Sequence, residues 1–174
     1  IARTFQNIRL FKDISVLDNV RIAMNSGMKY SLVSGLLRLP SYWREEREVT
    51  DRAMELLDVF GLRELSGSQA RNLPYGQQRK LEIARALACS PKVLLLDEPA
   101  AGMNPTETQE LMETIKLIRD RFSIAILLIE HDMNFVMGIC EHLIVLDYGR
   151  IIAEGSADEI RGNPKVITAY LGGE

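Results

Sequence analysis

Three short apolar runs constrain the fold of the second half of this 174-residue chain. Val93 to Leu96, Ile124 to Ile129 and Leu143 to Leu146 are short and uninterrupted. Runs of this kind between turn residues read as strands buried on both faces. Helical signals lie between them. Asn104-Pro105-Thr106-Glu107 offers an Asn cap, Pro at the first position and Glu at the third, and Leu111, Ile115 and Ile118 then recur on one side. Asp132 can cap a helix from Met133 to about Cys140. Such alternation predicts an α/β architecture with a largely parallel sheet covered by helices. Asp147-Tyr148-Gly149-Arg150 turns the third strand into Ile151-Ile152-Ala153, and short helices follow around Asp158–Arg161 and Val166–Leu171.

The first half is helical in texture. Ile1 to Lys12 reads as strand leading to loop. Ser15-Val16-Leu17-Asp18 has the shape of a capping box, with Val16, Val20 and Ala23 at helical spacing behind it. After a glycine- and proline-punctuated stretch from Gly27 to Pro40, a long helix is expected beyond Ser41, with Val49, Ala53, Leu56, Leu57 and Phe60 as its apolar face and Gly61 as its terminator. Ser66 to Gln69 reads as a loop. A further helix runs from Gln77 to about Cys89, with Leu81, Ala84, Arg85 and Ala88 on one face.

Composition narrows the classes of function. With 21 basic against 24 acidic residues the net charge is −3, which offers no broad footprint for nucleic acid. The longest apolar runs fall far short of the ~20 residues that span a bilayer. Cys89 and Cys140 sit inside helical apolar patterns and read as reduced core thiols.

In parallel sheets, chemistry gathers at the carboxyl ends of strands. Asp97-Glu98 and Glu130-His131 both stand at such ends. Phosphoryl transfer needs a metal anchor, a group that orients or deprotonates water, and donors for charge developing on the phosphoryl oxygens. Asp97 suits the anchor, and Glu98, pointing to the opposite side by strand periodicity, suits activating water. His131 can donate to a terminal phosphate, and the Gln6 amide can reach metal or water. Asp-Glu-Pro equally reads as a strand end that starts a loop, and His131 as a structural residue. No Gly-Lys pair occurs, so a glycine-rich phosphate loop ending in Gly-Lys-Ser/Thr is not among these residues.

In this order and spacing the motifs resemble those of the ATP-binding cassette ATPases. Leu73-Pro74-Tyr75-Gly76-Gln77 is similar to the signature motif, Leu94 to Asp97 to the Walker B strand, Glu98 to the catalytic glutamate, and His131 to the switch-loop histidine. Arg3-Thr4-Phe5-Gln6 resembles the glutamine loop, and Ala101-Gly102-Met103-Asn104 occupies the place of the D-loop. Ile1 to Phe11, Tyr75-Gly76-Gln77-Gln78-Arg79, Glu98-Pro99-Ala100-Ala101-Gly102 and Ala169-Tyr170-Leu171-Gly172 look most like the cassette subunits of branched-chain amino acid importers. Three positions depart from the pattern: Pro74 stands for the usual serine, Tyr75 for the first glycine and Asn104 for the D-loop aspartate.

The resemblance implies a P-loop-type ATPase core with a parallel sheet and an α-helical subdomain, truncated N-terminally so that the first strands and the phosphate loop are missing. It divides the chain into 1–13 (the glutamine-loop end of the core), 14–90 (the helical signature subdomain) and 91–174 (the C-terminal part of the RecA-like core). It implies ATP and Mg2+ as cofactors, with Asp97 and Gln6 toward the metal, Glu98, His131 and Gln6 in catalysis, and Leu73, Pro74, Tyr75, Gly76, Gln77 and Asn104 toward the nucleotide. Gly76 is expected to let backbone approach phosphate closely, with Gln77 opening the helix.

Implied partners are a second cassette, identical or not, and transmembrane permease subunits, with the protein cytoplasmic and peripheral on the inner face of the cell membrane. Tyr30 to Leu39 with Tyr42-Trp43 either receives a short helix of such a subunit or packs within the subdomain. By itself the chain is expected to bind no ATP and to leave the second and third strands with open edges and exposed apolar faces. Cassette ATPases of DNA repair or chromosome structure are a second reading, opposed by the charge and by the lack of sustained heptads between Gln6 and Leu73. A non-catalytic interaction fragment is a third.

Overall fold

The computed structural model describes residues 1–24 and 39–171 and forms two compact units, 1–129 and 130–174. The division falls inside the stretch 91–174 that the sequence reading treats as one domain. Of the expected surface from Tyr30 to Leu39 with Tyr42-Trp43, residues 30–38 lie outside the described residues.

In the first unit a short strand β1 (Ala2–Arg3) pairs in parallel with β2 (Val93–Asp97), and β2 in parallel with β3 (Ala125–Ile129). Thr4 N–H extends the first ladder to the Leu95 carbonyl, which draws the chain after β1 alongside the carboxyl half of β2. Leu94 and Leu96 are buried on one face of β2. β3 is not buried on both sides as its apolar run suggests, and it shows the exposed apolar face expected of the chain by itself. Its pleat puts Ala125, Leu127 and Ile129 on one face, and Leu127 and Ile129 are more than half exposed there.

The helices have the expected cores. α1 (Val16–Met24) starts where the Ser15 hydroxyl accepts the Asp18 N–H, and it packs against α2 (Pro40–Val59) and α3 (Tyr75–Leu87). Arg21 of α1 bridges Glu46 of α2. α2 buries Val49, Ala53, Leu56 and Leu57 and stops before Gly61, which takes the left-handed φ of +66° that a side chain would resist. Leu81, Ala84 and Ala88 are buried as expected, and burial lowers the Arg85 guanidinium pKa against the opposing pull of Glu82. Two expectations are corrected here. α3 opens at Tyr75, with Pro74 at the cap, two residues before Gln77. Cys89 is exposed and Cys140 half-buried, because α3 ends at Leu87 and Cys140 is the residue that leaves its own helix.

α4 (Pro105–Phe122) begins at the capping box formed by Asn104 and Glu107 and buries Leu111, Ile115 and Ile118. In the second unit, α5 (Met133–Ile139) is capped by Asp132, whose carboxylate accepts the Asn134 and Phe135 N–H groups. β4 (Leu143–Asp147) and β5 (Arg150–Gly155) then form an antiparallel hairpin across the expected turn, and the parallel sheet comprises β1 to β3. The two-residue turn dictates this, since parallel neighbours need a long crossover. Tyr148 and Gly149, both at positive φ, suit a primed hairpin turn. Leu143, Val145 and Ala153 make a core with Ile160 of α6 (Ala157–Arg161) and Val166 of α7 (Pro164–Val166), which continues as a π-helical turn to Leu171.

Candidate functional site

The carboxyl ends of β1 and β2 bring four side chains together. Arg3, the last residue of β1, donates through Nη2 to Asp97 Oδ2 at 2.8 Å. Asp97 is the last residue of β2. Glu98 follows it at φ +43°, a left-handed conformation that costs a non-glycine residue about 1 kcal/mol. Gln6 lies three residues beyond β1, and its Nε2 donates to Glu98 Oε2 at 2.8 Å. Glu98 is also tied to the sheet by its backbone, its N–H donating to the Ile129 carbonyl. The parallel pairing of two strands far apart in sequence thus sets a carboxylate at a strand end, a second on a strained turn, and an amide oriented against it.

Among the described residues no group of three or more His, Cys, Asp or Glu side chains could hold a metal ion by itself. Asp97 offers one strand-end carboxylate, and the Gln6 amide, whose nitrogen faces Glu98, has an oxygen as well. That donor set suits a magnesium ion carried in with phosphates, which takes one or two carboxylates from protein and the rest from substrate and water.

The segment Leu73 to Gln77 is the start of α3. Leu73 is buried, and Pro74 is the cap residue at φ −53° and ψ 155°, without a side-chain acceptor for the first-turn amides. Its carbonyl accepts Gln78 N–H, and Gln78 Nε2 donates back to the Leu73 carbonyl. The Tyr75, Gly76 and Gln77 amides therefore sit at the positive end of a 13-residue helix without the usual capping side chain.

The glycine at 76 has an internal cause that the sequence reading missed. A Cβ there would stand 2.7 Å from Oε1 of Glu107, so the absent side chain leaves room for the carboxylate that caps α4. Gly102, at φ +78°, is covered by the Tyr75 ring, 3.4 Å from where a Cβ would be. Tyr75 therefore fills the space over the turn that leads to Asn104. Asn104 itself is engaged at the cap, Oδ1 accepting Glu107 N–H at 3.0 Å.

His131 lies past the end of β3, in the connection to α5. Its side chain is 72% exposed, with Nδ1 3.8 Å from Oε2 of the buried Glu130 carboxylate, which also accepts the His131 N–H. Glu130 and His131 open the second unit, whereas Gln6, Asp97, Glu98 and the Leu73–Gln77 segment belong to the first.

Sequence reasoning also passed over Arg79, Glu82 and Arg3. Arg79 and Glu82 are both buried, and their signal was a charge within the helical stripe of Gly76, Ile83 and Leu87. Arg3 carries no comparable signal, because its partner lies 94 residues away.

Comparison with known proteins bears on this arrangement. Residues 1–101 match the family model described as ABC transporter, and residues 150–174 that described as branched-chain amino acid ATP-binding cassette transporter. The chain is 49% identical over 172 residues to the high-affinity branched-chain amino acid transport ATP-binding protein LivG of Escherichia coli, covering 99% of this chain and 68% of the relative. The corresponding Pseudomonas aeruginosa protein, BraF, is 44% identical over the same shares of each chain. The solved ADP conformation of MJ1267, an ATP-binding cassette of an ABC transporter, superposes with a TM-score of 0.77 at 31% identity, covering 99% of this chain and 68% of that one.

Proposed function

The chain belongs to the ATP-binding cassette transporter ATPase family, and on that basis we propose that it supplies the hydrolytic strand ends and the signature helix of an ATPase energising branched-chain amino acid uptake. The contact between the Gln6 amide and the Glu98 carboxylate at the end of β2 carries the reading for hydrolysis. The relatives named above, LivG and BraF, carry the reading for the transported substrate.

In this reading Glu98 accepts the proton of the attacking water, and Gln6 holds that carboxylate in place. Asp97 is held by Arg3 and Glu98 by Gln6, so the neighbouring carboxylates serve different atoms. Asp97 and the Gln6 amide oxygen would hold a magnesium ion, which when bound with the nucleotide neutralises charge on the phosphoryl oxygens. His131, with its ring exposed, donates to the terminal phosphate. The first-turn amides Tyr75 to Gln77 face the phosphates of a nucleotide held mainly by a second cassette, the arrangement that an uncapped helix start favours.

Residues 1–13 and 91–174 serve as core and 14–90 as the signature subdomain. Transmembrane permease subunits complete the assembly, on the cytoplasmic face of the membrane. Among the described residues no helix is long and apolar enough to cross a membrane, which suits a peripheral subunit.

The test is Glu98→Gln in the ATPase assembled with its phosphate loop. The amide keeps an oxygen for Gln6 but cannot take a proton, so ATP binding should persist while turnover falls by about two to four orders of magnitude. Hydrolysis at the wild-type rate would overturn the assignment.

A further inference from the structure

The largest fully buried side chain among the described residues is Arg79, one turn into α3 from Gly76. Its guanidinium donates through Nη1 to the Phe5 carbonyl and to Glu82 Oε2, and through Nη2 to the Gln6 carbonyl, each at 2.8 Å. Nη2 also lies 3.4 Å from the Tyr75 hydroxyl. The second Glu82 oxygen accepts the Arg9 N–H at 3.0 Å. One buried ion pair therefore holds two successive carbonyls and one amide of the segment that follows β1.

A buried ion pair is a poor device for stability, because desolvation offsets its Coulombic gain and apolar side chains of similar volume fill the same space. A planar fork does something that they cannot. It fixes two adjacent carbonyl oxygens at once, with a geometry that neither a single ammonium nor an apolar group reproduces.

We propose that Arg79 is a positioning residue for hydrolysis: it locks the backbone of Phe5 and Gln6 to the first turns of α3, so that the Gln6 amide, and through it the Glu98 carboxylate, keeps a fixed relation to the helix carrying Tyr75 and Gly76. This rests on the roles proposed for Gln6 and Glu98. It makes the glutamine segment and the signature helix one mechanical body, joined by three hydrogen bonds, two from Arg79 and one accepted by Glu82.

The experiment uses the assembled ATPase with two variants. Arg79→Met combined with Glu82→Gln removes the fork without stranding a buried charge, and the amide oxygen introduced by Glu82→Gln still accepts the Arg9 N–H. Arg79→Lys keeps the charge balance but not the fork. The double variant should melt within a few degrees of wild type and keep its half-saturating ATP concentration within about twofold. Its turnover at saturating ATP should fall about ten- to a hundredfold, the scale expected when a reacting group is misplaced by about an ångström.

Deuterium uptake across residues 4–9 should rise while the interior of α3 stays protected. Arg79→Lys should recover part of the turnover. A folded double variant with wild-type turnover and unchanged uptake over residues 4–9 would overturn the proposal. If Glu98→Gln alone leaves hydrolysis intact, the catalytic reading fails, and the uptake over residues 4–9 still decides whether Arg79 fixes that segment.

Discussion

Removing the Asn19 side chain should cost the first unit about 2 kcal/mol, a figure that follows from three hydrogen bonds. Asn19 is fully buried in α1. Its Oδ1 accepts the Phe11 N–H at 3.0 Å, and its Nδ2 donates to the Phe11 carbonyl at 3.0 Å and to the Ser15 carbonyl at 2.9 Å. At ~0.5–1.5 kcal/mol each, the three bonds sum to about 1.5–4.5 kcal/mol. Two facts pull Asn19→Ala toward the lower half of that range. The Ser15 carbonyl keeps the Asn19 N–H as a partner, and Phe11 is 51% exposed, so water can reach its freed backbone groups.

Ala also gains a few tenths of a kcal/mol of helix propensity, on the order of 0.5. Urea unfolding followed through Trp43, the single tryptophan of the chain and part of the same unit, gives the readout. With an m-value of about 2 kcal/mol per molar urea, the midpoint should fall by about 1 M. A midpoint lowered by less than about 0.2 M, with the slope unchanged, would refute the reasoning, because it would mean that the three bonds are replaced at no cost when the chain reorganises.

Two further outcomes are expected. His131→Ala should lower ATP turnover in the assembled enzyme while leaving circular dichroism and melting unchanged, because a side chain that is 72% exposed supports little packing; a variant that loses its fold would make His131 structural instead. Cys89 should be alkylated by iodoacetamide before Cys140 at pH 8, since Cys89 is exposed while burial raises the Cys140 pKa and thins its thiolate population, and peptide mass mapping reads the order directly.

What was legible in the sequence was what short-range periodicity controls. The runs at Val93, Ala125 and Leu143 became strands because their apolar residues are contiguous, and Asn104 and Asp132 became caps because a cap acts on amides two or three residues away. The hairpin direction of β4 and β5 was implicit in the four residues from Asp147 to Arg150.

Long-range polar pairing was not legible. Arg79 stands within the apolar stripe of its helix, but its partners Phe5 and Gln6, 74 and 73 residues away, leave no mark in the sequence. Glycine's allowance for close approach points Gly76 toward a ligand, yet the first close neighbour is the Glu107 carboxylate of the same chain. A single glycine does not say which approach it serves.

Asp97 and Glu98 show why adjacent carboxylates can hold distinct roles. Asp97 ends β2 and keeps the strand's direction, and its Oδ2 takes the Arg3 guanidinium. The Arg3 and Asp97 side chains are 50% and 23% exposed, and a pair this open to water contributes only ~0.2–1 kcal/mol. Arg3 can therefore hold the carboxylate in place and still give way to a cation arriving with phosphates, at a cost of no more than about a factor of five in affinity. Glu98 leaves the strand at once through its positive φ and is met by an amide rather than a guanidinium at Oε2. A regular strand would also have turned the two side chains to opposite faces, and the Glu98 N–H still closes the ladder on the Ile129 carbonyl. The strained turn, so braced, releases the second carboxylate toward Gln6 while leaving the first anchored to the sheet. On the role proposed for Glu98, the cost of that conformation, about 1 kcal/mol, is small beside the several kcal/mol that a general base contributes to hydrolysis.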